Sequence, residues 1–469
     1  MIRAARVSKR GLRSLAVAAR KLHMARMEPI RAVKGMRDIL PPESGFWEYV
    51  EQEARHCFYS YGYKEIRTPL VEPTELFARG VGTDTDIVTK EMYTWEDRDK
   101  SSLTLRPEAT ASVIRAYIEH RLDQRPGVKK FYYIGPMFRR ERPQKGRYRQ
   151  FYQIGAEAIG SESSTVDAEV IEMLVSLLDR LRVSGYTLLL NSVGDKECRP
   201  RYIARLREEL KKVRSQLCED CQRRSETNPL RVLDCKVPED QAIISGLPTM
   251  LDSLCDPCRT HFEKLQGYLR ERSIPYTLHP RMVRGLDYYT RTAFEFVHGS
   301  LGAQNSLLGG GRYDGLSEDL GGPPAPGIGF SIGEDRLVLT LQEAKNEIMG
   351  IGAAYYSSPP PVYIAWMGEA AGRRAAEIAR SMRNIGNPIE LATDDAKLKK
   401  SLETASKMGA SYVLIIGDRE LQETGYLLRN MKTGEQRHVD EKELYELYKH
   451  RRELRLGTLS QDILKEKME

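Results

Sequence analysis

The chain has 469 residues, enough for two to four domains with sizeable hydrophobic cores. Its formal charge is +7, but residues 1–27 hold eight basic side chains and no acidic ones, so the other 65 basic and 66 acidic residues leave a net charge of −1. This balance excludes a general polyanion-binding surface, and any contact with nucleic acid must come from local basic patches. No apolar run approaches the ~20 residues of a membrane span, so we expect no membrane segment.

The N-terminal tail, residues 1–29, is Arg-rich and weakly amphipathic, which is typical of mitochondrial transit peptides. Two other interpretations stay open. In the first, the start codon is assigned too early, since Met24 and Met27 precede the folded part. In the second, the tail is a nucleic-acid-binding arm. We expect a cytoplasmic protein, and the tail leaves import into an organelle open.

The first folded elements are a helix over Gly45–Tyr61, with Ser44 as its N-cap, and a strand over Tyr63–Thr68 that ends at Pro69. Residues 70–190 and 280–340 then alternate strands, glycine turns and helices, with many antiparallel-type hairpins. This pattern predicts a mixed α+β domain around an antiparallel sheet. The sequence contains neither GxGxxG nor GxxxxGK[ST], so a Rossmann or P-loop nucleotide site is unsupported.

The most informative stretch is FRRERPQKGRYRQFYQ, Phe138–Gln153, which carries six Arg and Lys side chains between the strand-like runs Phe131–Ile134 and Phe151–Ile154. Guanidinium groups match phosphate oxygens two at a time. Glu141 adds a hydrogen-bond acceptor, and neighbouring aromatic rings add a stacking surface. These features together predict a nucleotide site, and a solvated basic hairpin is the alternative.

Residues 192–278 are charge-rich and helical in pattern, and they contain two CxxC pairs. The four cysteines are Cys218, Cys221, Cys255 and Cys258. Because two such knuckles can supply four thiolates in tetrahedral geometry, the spacing predicts one structural Zn²⁺, with Cys235 or His261 as a substitute for one ligand. Reduced structural thiols are the alternative. Cysteines without a secretory signal indicate a reducing compartment.

Beyond a proline-rich linker, residues 346–361, the pattern changes to alternating strands and helices over residues 362–445. The predicted strands are Val362–Trp366, Ile389–Leu391 and Tyr412–Ile416, and the predicted helices are Ala370–Asn384 and Asp395–Met408. This alternation implies a small α/β domain with a largely parallel sheet. The second helix carries four lysines, which form either a solvated face or an RNA contact: Lys397, Lys399, Lys400 and Lys407. Residues 446–469 are predicted to be a charged helix or tail.

Three further segments complete the pattern: RGLDYYTRTAFE at Arg284–Glu295, LGGGRYDG at Leu308–Gly315 and GIGFSIGEDRL at Gly327–Leu337. With the arginine hairpin, their order and spacing resemble histidyl-tRNA synthetases, which are class II aminoacyl-tRNA synthetases. The resemblance extends over residues 30–437. The hairpin resembles motif 2 and GFSIGEDRL resembles motif 3, while RGLDYY and GGGRYDG resemble segments that distinguish the histidyl enzymes.

The resemblance implies a class II catalytic domain over residues 30–191 and 279–345, interrupted by a helical insertion over 192–278. It implies an anticodon-binding α/β domain over 362–445. The predicted helix and strand before Pro69 resemble motif 1, which forms the dimer interface in class II enzymes, so a homodimer is expected.

The implied activity is ATP-dependent activation of L-histidine to histidyl-adenylate, with Mg²⁺, and transfer to the 3′ end of tRNA(His) with release of AMP and diphosphate. Arg139 and Arg284 are the implied catalytic residues, on opposite sides of the reacting α-phosphate and carboxylate. The implied ATP-binding residues are Arg139, Glu141, Arg147, Phe151 and Arg336. The implied histidine-binding residues are Glu108, Thr110, Gln153, Glu157, Tyr289 and Tyr313. At the hairpin tip, Arg142 and Gln144 are candidates to contact the tRNA acceptor end.

Within the implied histidine pocket, Glu108 and Thr110 hold the ammonium group, and Glu157 and Tyr289 bind the two ring nitrogens. Because such a site rejects analogues that lack the polar ring, no editing domain is required. Two alternatives stay open. One is a non-catalytic histidine sensor, a class of paralogue that typically lacks the C-terminal domain and the ATP-binding arginines. The other is a class II synthetase for another amino acid.

Overall fold

The computed structural model describes residues 29–83, 85–283, 285–299, 306–343, 362–422 and 425–444. The features predicted for the basic tail, Arg284, the linker and residues 446–469 therefore lie outside the described residues. The chain divides into two compact units, Met1–Leu40 with Trp47–Gly350 and Pro41–Phe46 with Ile351–Glu469. Within the described ranges, none of the helices combines the length and apolar character needed to cross a membrane.

The first unit is built around a large, mostly antiparallel sheet. Its strands are β1 (Lys64–Glu65), β2 (Val71–Pro73), β3 (Tyr93–Glu96), β4 (Ser102–Leu105), β5 (Lys129–Phe138), β6 (Gln150–Ile159), β7 (Tyr186–Ser192), β8 (Thr277–Leu278), β9 (Thr290–His298), β10 (Ser306–Arg312) and β11 (Gly327–Gly333). Eight of them pair in the order β1-β5-β6-β11-β10-β9-β7-β8. The two edge pairs, β1–β5 and β7–β8, are parallel and the inner pairs are antiparallel. The predicted antiparallel sheet is confirmed, and β2-β4-β3 form a separate small sheet.

The helices of the first unit cover this sheet and form the insertion. They are α1 (Glu43–Ser60), α2 (Thr74–Val81), α3 (Thr110–Glu119), α4 (Ser164–Arg180), α5 (Cys198–Val213), α6 (Glu219–Thr227), α7 (Pro238–Ser245), α8 (Asp256–Glu271), α9 (Leu316–Asp319) and α10 (Glu334–Glu343). Helix α4 has a capped start, where the side chain of its N-cap Ser163 accepts a hydrogen bond from the Thr165 amide at 3.2 Å. Its apolar residues recur at helical spacing, so Ile171, Leu174 and Leu178 are fully buried.

The β5–β6 hairpin pairs along its whole length, from Lys129 opposite Ile159 to Phe138 opposite Gln150. Both predicted strands of the arginine hairpin are therefore confirmed and are longer than predicted. The predicted boundaries around α1 are less accurate. The helix begins at Glu43, so Ser44 lies in its first turn and is not the N-cap. Only Lys64–Glu65 forms a strand after it, because this edge segment pairs with β5 over two residues before Pro69 redirects the chain.

The helical character predicted for residues 192–278 is confirmed by α5, α6, α7 and α8. Apolar side chains and cysteines from α5, α6, α7, their connections and the first turn of α8 form a separate core cluster. Helix α8 also packs against α4, and β8 then rejoins the main sheet. The treatment of the insertion as an independent domain stays a prediction.

The second unit is a five-stranded sheet with helices on both faces. Its elements are β12 (Val362–Trp366), α11 (Glu369–Asn384), β13 (Ile389–Leu391), α12 (Leu398–Lys407), β14 (Tyr412–Ile416), α13 (Asp418–Gln422), β15 (Tyr426–Asn430) and β16 (Gln436–Val439). The strand order is β13-β12-β14-β15-β16. The strands β13, β12 and β14 are parallel to one another and match the predicted bounds, but β15 pairs antiparallel with β14 and β16 pairs antiparallel with β15. The expectation of a largely parallel sheet was wrong for the half of the sheet formed by β15 and β16.

The β15–β16 hairpin, which the sequence pattern did not predict, is formed by a local turn. The side-chain oxygen of Asn430 accepts hydrogen bonds from the amides of Lys432 and Thr433 at 2.8 and 3.1 Å. Gly434 follows in the left-handed region at φ 77°. This Asx turn reverses the chain between two short strands. The helix predicted over Asp395–Met408 is shorter, so Lys397 precedes α12, and the four predicted lysines are all exposed.

Candidate active site

The exposed surface of the main sheet holds a cavity of about 510 Å³. Ten of the predicted site residues line this cavity. The fold thus brings together segments that are far apart in the chain. The ten residues are Glu108, Thr110, Arg139, Glu141, Arg147, Phe151, Gln153, Tyr289, Tyr313 and Arg336. Glu157 lies beneath the cavity, and Arg142 and Gln144 lie exposed at the hairpin tip. Arg284 lies outside the described residues, so its place opposite Arg139 stays a prediction.

Arg139 is held rigidly at one wall of the cavity. Its Nε donates to the carbonyl oxygen of Pro107 at 2.9 Å, and its guanidinium lies 5.3 Å from the ring centroid of Phe151. Burial lowers the pKa of Arg139, although an arginine still stays protonated. A buried, oriented cation of this kind is suited to an anionic ligand.

Arg147 and Arg336 provide further positive charge in the same cavity. Arg147 forms a salt bridge with Glu141, so this implied ATP-binding carboxylate already has an arginine partner. Arg336 donates from Nη1 to the carbonyl oxygen of Ser306 at 2.9 Å and from Nε to that of Gly146 at 3.3 Å. These contacts fix both guanidinium groups at the hairpin, as the prediction of a phosphate site requires.

The remaining basic side chains of the hairpin are occupied elsewhere. Lys145 pairs with Glu343 at 2.6 Å, and Arg140 lies 5.2 Å from the ring centroid of Tyr93. Arg149 donates to the carbonyl oxygen of Glu141 at 3.2 Å. The six charges that predicted an anion site therefore divide: Arg139 and Arg147 face the cavity, while others hold the hairpin in place.

Glu108 is fixed at the N-terminus of α3. Its carboxylate accepts hydrogen bonds from the amides of Thr110 and Ala111 at 2.8 and 2.9 Å. Burial raises its pKa, and the two amide bonds oppose that shift. The hydroxyl of Tyr288 lies 3.5 Å from the same carboxylate. Glu108 is thus an oriented acceptor at the cavity wall, which suits an ammonium group.

Glu157 is fully buried on β6, and its environment is unusual for a carboxyl group. Oε1 accepts a hydrogen bond from the Thr110 hydroxyl at 2.7 Å, while Oε2 has no hydrogen-bond partner among the described residues. Burial raises the pKa of Glu157 to about 8. An acceptor held next to the cavity without a partner is ready to receive a donor from a ligand.

Close backbone approach explains two glycines around this carboxyl group. A Cβ at Gly329 would lie 1.6 Å from Oε2 of Glu157. A Cβ at Gly311 would lie 2.4 Å from the carbonyl oxygen of Thr292 and 2.9 Å from the ring of Tyr289. Only glycine fits at either position without displacing these neighbours.

Several site residues were missed from the sequence. Tyr133, Tyr288, Glu295 and Ser331 also line the cavity. Ser331 accepts a hydrogen bond from Nε2 of Gln153 at 3.4 Å. Tyr133, Glu295 and Ser331 lie on β5, β9 and β11, so a strand period of two would have indicated them once the inward face was known. Tyr288 precedes β9, and strand alternation gives no signal for it.

Arg312, within the GGGRYDG segment, serves the core and not the cavity. Its fully buried guanidinium donates from Nε to Asp167 at 2.9 Å and from Nη1 to Asp314 at 2.8 Å. His261 on α8 and Thr292 on β9 also bond Asp167, at 2.8 and 2.6 Å. This buried network joins α4, α8, β9 and β10. It also excludes His261 from the zinc site for which we considered it.

The structure divides the two CxxC pairs between two separate clusters. Cys218 and Cys221 lie with Cys235 and Asp240, while Cys255 and Cys258 lie with Asp195 and Cys198. In each cluster the four ligand atoms lie within 4.8 Å of one another. The single four-thiolate site predicted from spacing is therefore wrong, because each pair finds its remaining partners elsewhere in the fold.

Comparisons with known proteins agree with this geometry. The family model described as histidyl-tRNA synthetase matches residues 35–337, and the model described as anticodon binding domain matches residues 361–451. The chain is 63% identical to the histidine–tRNA ligase of Solibacter usitatus over 408 residues, 87% of this chain and 96% of that one. It is 55% identical to the histidine–tRNA ligase of Koribacter versatilis over 427 residues, 88% of this chain and 95% of that one.

Among solved structures, the apo histidyl-tRNA synthetase of S. aureus superposes with a TM-score of 0.74 at 37% identity, covering 90% of this chain and all of that one. A Bacillus halodurans protein described as an ATP phosphoribosyltransferase regulatory subunit/histidyl-tRNA synthetase has a TM-score of 0.59 at 22% identity, covering 83% of this chain and 99% of that one. At that identity the second likeness bears on the fold alone.

Proposed function

This chain belongs to the histidyl-tRNA synthetase family and is an aminoacyl-tRNA ligase that charges histidine onto tRNA, and we propose that the cavity on its main sheet carries out histidine activation. ATP and histidine bind there side by side, and the histidine carboxylate attacks the α-phosphorus. The product is histidyl-adenylate with release of diphosphate.

One observation carries this proposal: a single cavity joins fixed guanidinium groups at one end to buried carboxyl acceptors at the other. Arg139, Arg147 and Arg336 supply charge for phosphates and for the carboxylate. Because two anions must meet, fixed positive charge and positioning are the chemistry that the reaction needs. Arg284 is proposed to complete the charge from the opposite side.

The acceptor end of the cavity suits the ammonium and imidazole groups of histidine. Glu108, oriented by two amides, is proposed to bind the ammonium together with Thr110, and Gln153 is proposed to lie beside the histidine carboxylate. Glu157 is proposed to accept from one ring nitrogen, and Tyr289 to bond the other. Tyr313 closes the pocket. When a ring N–H donates to Glu157, the ionised form of its carboxyl group is favoured, which offsets the cost of its burial.

At the nucleotide end, Phe151 and Arg336 are proposed to hold the adenine ring between them, and Arg147 to bind the γ-phosphate. Because Glu141 is paired with Arg147, its proposed bond to the adenine amino group requires that this salt bridge open or be shared. Mg²⁺ enters with ATP as part of the substrate. Glu295, a carboxylate at the cavity wall, is suited to hold it.

Further parts of the proposal concern partners and location. Arg142 and Gln144 are proposed to contact the acceptor end of tRNA(His), and residues 362–445 its anticodon. Apolar exposure near α1 supports the expected homodimer: Tyr59 is 82% exposed, and Leu70 and Val71 are 41% and 40% exposed. A cytoplasmic location is proposed. Structural Zn²⁺ is proposed for the two separate cysteine clusters of residues 192–278.

The first test is ATP–diphosphate exchange by the purified chain with each amino acid in turn. Exchange with histidine alone is the expected result, and replacement of Arg139 by Gln should reduce it by at least 100-fold, the scale of a lost oriented charge. Exchange with a different amino acid would contradict the histidine pocket. Histidine binding without exchange would instead favour the sensor.

The sensor alternative is disfavoured by two features of the chain. The anticodon-binding model matches residues 361–451, and the cavity retains Arg139, Arg147 and Arg336. Sensor paralogues typically lack both.

A further inference from the structure

We propose that residues 192–278 bind two structural zinc ions, each held by three thiolates and one carboxylate. The first site consists of Asp195, Cys198, Cys255 and Cys258, and the second of Cys218, Cys221, Cys235 and Asp240. Together the two sites use six of the seven cysteines of the chain. Cys57, which donates to the carbonyl oxygen of Met173 far from both clusters, is the seventh.

The distances within the second cluster fit tetrahedral coordination. With Zn–S bonds near 2.3 Å, two thiolates on one ion lie about 3.8 Å apart, and a thiolate and a carboxylate oxygen about 3.5 Å apart. The Sγ atoms of Cys218 and Cys235 are 4.0 Å apart, and Sγ of Cys235 lies 3.2 Å from Oδ2 of Asp240. A disulfide requires about 2.05 Å between sulfurs, so these are not bonded pairs.

The first cluster has the same dimensions. Sγ of Cys198 lies 3.3 Å from Oδ1 of Asp195, and Sγ of Cys255 lies 3.7 Å from Oδ2 of the same carboxylate. In each cluster the first cysteine of the CxxC pair is the N-cap of a helix and the second lies in its first turn, at α6 and α8. Both sulfurs of each CxxC pair therefore lie at the N-terminus of one helix, on the same side as the carboxylate of their cluster.

Both carboxylates are oriented as metal ligands commonly are. Oδ1 of Asp195 accepts hydrogen bonds from the amides of Glu197 and Cys198 at 3.0 and 3.1 Å. Oδ1 of Asp240 accepts from the amide of Cys218 at 2.9 Å, which leaves Oδ2 directed at the thiols. Backbone bonds that fix the ligand oxygen in this way are typical around bound zinc.

Asp240 argues most directly against simple reduced thiols. Its side chain is almost completely buried, at 1% exposure, and within the described residues it forms no salt bridge with a Lys or Arg. A buried carboxylate normally requires a cation, because removing its charge from water is costly. A divalent ion among the three neighbouring sulfurs supplies that charge.

The two sites are nested along the chain, which suggests their separate roles. All ligands of the second site lie between Cys198 and Cys255 of the first. The first site therefore joins the two ends of the insertion near the sheet, and the second organises its interior. The insertion has a small apolar core of its own, and metal ligation is a common supplement to a core of that size.

Beside each cluster lies an arginine that donates hydrogen bonds to backbone carbonyl oxygens within residues 285–289, the segment that ends at Tyr289. Arg199, next to Cys198, donates to the carbonyl oxygens of Val193, Asp287 and Tyr289. Arg231, in the 3₁₀ turn that leads into Cys235, donates to the carbonyl oxygen of Gly285 at 2.8 Å. We infer that the two ions position this segment at the cavity, a step that rests on the proposed histidine site.

The test is a zinc count by elemental mass spectrometry on full-length protein purified without a metal-binding tag and supplied with Zn²⁺. Two ions per chain are expected. Cys221→Ser and Cys258→Ser should each lower the count to one, and the double variant to none. Cys57→Ser, also a buried cysteine, is the matched control and should keep two. One ion or fewer per chain in the unaltered protein would overturn the two-site proposal.

Native mass spectrometry and cobalt replacement on the unaltered protein decide the question if the variants do not fold. Zinc should leave in two steps on chelation, and thiolate-to-cobalt absorption should saturate at two equivalents. Saturation at one equivalent, or none, would overturn the two-site assignment. Because these counts do not depend on ATP or histidine, they are independent of the exchange test. If the ions position Tyr289, Cys258→Ser should also raise KM for histidine several-fold while KM for ATP changes little.

Discussion

At the scale of single residues, Glu157 shows how one carboxyl group can serve recognition at the expense of stability. Burial raises its pKa to about 8, compared with 4.5 for an ordinary glutamate. Between these values the folded protein keeps a proton that the unfolded chain has released. The stability of the protein should therefore fall as pH rises from about 4.5 to about 8, and then level off.

Glu157→Gln should remove this pH-dependent loss, since the amide resembles the protonated carboxyl group in size and charge. Relative to the unaltered protein, its free energy of unfolding should improve between pH 5 and pH 8 by at most about 4–5 kcal/mol, as measured by urea unfolding. The same change should raise KM for histidine about 10–100-fold, the cost of about 1.5–3 kcal/mol for a lost charged hydrogen bond.

Glu119→Gln is a suitable control, because that side chain is 58% exposed. It should change neither the pH profile of unfolding nor the KM for histidine. If Glu157→Gln and the unaltered protein kept the same difference in stability at every pH, the raised pKa would be wrong. Unchanged KM would remove Glu157 from the histidine pocket.

Residue-level prediction came closest where a motif specifies the side chain. The resemblance implied Arg139, Arg147 and Arg336 as ATP-binding residues, and all three line the cavity, while their roles stay predictions. It failed where a role depends on residues distant in the chain. The CxxC spacing identifies two thiolates of each cluster, but Asp195 and Asp240 become candidate ligands only when the fold places them there.

At the scale of elements, the β5–β6 hairpin combines a rigid base with an exposed tip. Its tip is a tight turn in which the amides and carbonyls of Gln144 and Arg147 bond reciprocally, at 3.0 and 2.9 Å. Gly146 occupies the left-handed region at φ 70°. The base of the hairpin forms the cavity wall, so changes in exposed tip side chains should not reach the reacting groups.

We predict that Arg142→Ala and Gln144→Ala lower transfer of histidine to tRNA about tenfold, the value of one charge-assisted hydrogen bond, while histidine-dependent exchange stays within about twofold. Single-turnover transfer from preformed adenylate measures the first quantity. Lys145→Ala is the matched tip control, because Lys145 is directed to Glu343. Equal losses in transfer and exchange would show that the tip acts on the active site and not on tRNA.

Strand alternation and apolar periodicity predicted most elements of both units. The errors lie at edges and short turns: β1 is shorter than the pattern indicated, and β15 and β16 were missed. These segments pair with one neighbour or over few residues, so their hydrophobic pattern is weak. Their strand character depends on tertiary pairing, which local sequence does not specify.

At the scale of the whole molecule, histidine activation and anticodon recognition are expected in different units. Among the residues that the structure describes, those that line the cavity lie between Ile87 and Arg336, within the first unit. The second unit has two apolar clusters of its own, one including Ile364 and Leu414 and the other Val413 and Ile415. Activation therefore requires groups from the first unit, and recognition of the tRNA anticodon is proposed for the second.

A protein that ends after Glu343 should keep histidine-dependent exchange within about threefold but lose aminoacylation efficiency by on the order of 100-fold. The second number corresponds to two or more base contacts at about 1–3 kcal/mol each. Both activities are measured on the same preparation, with circular dichroism to check its folding and the full-length chain as reference. Because exchange needs no tRNA, a parallel loss of exchange in a folded sample would mean that the second unit supports the cavity itself. Retained aminoacylation would mean that the first unit alone recognises the tRNA, and the anticodon role proposed for residues 362–445 would fail.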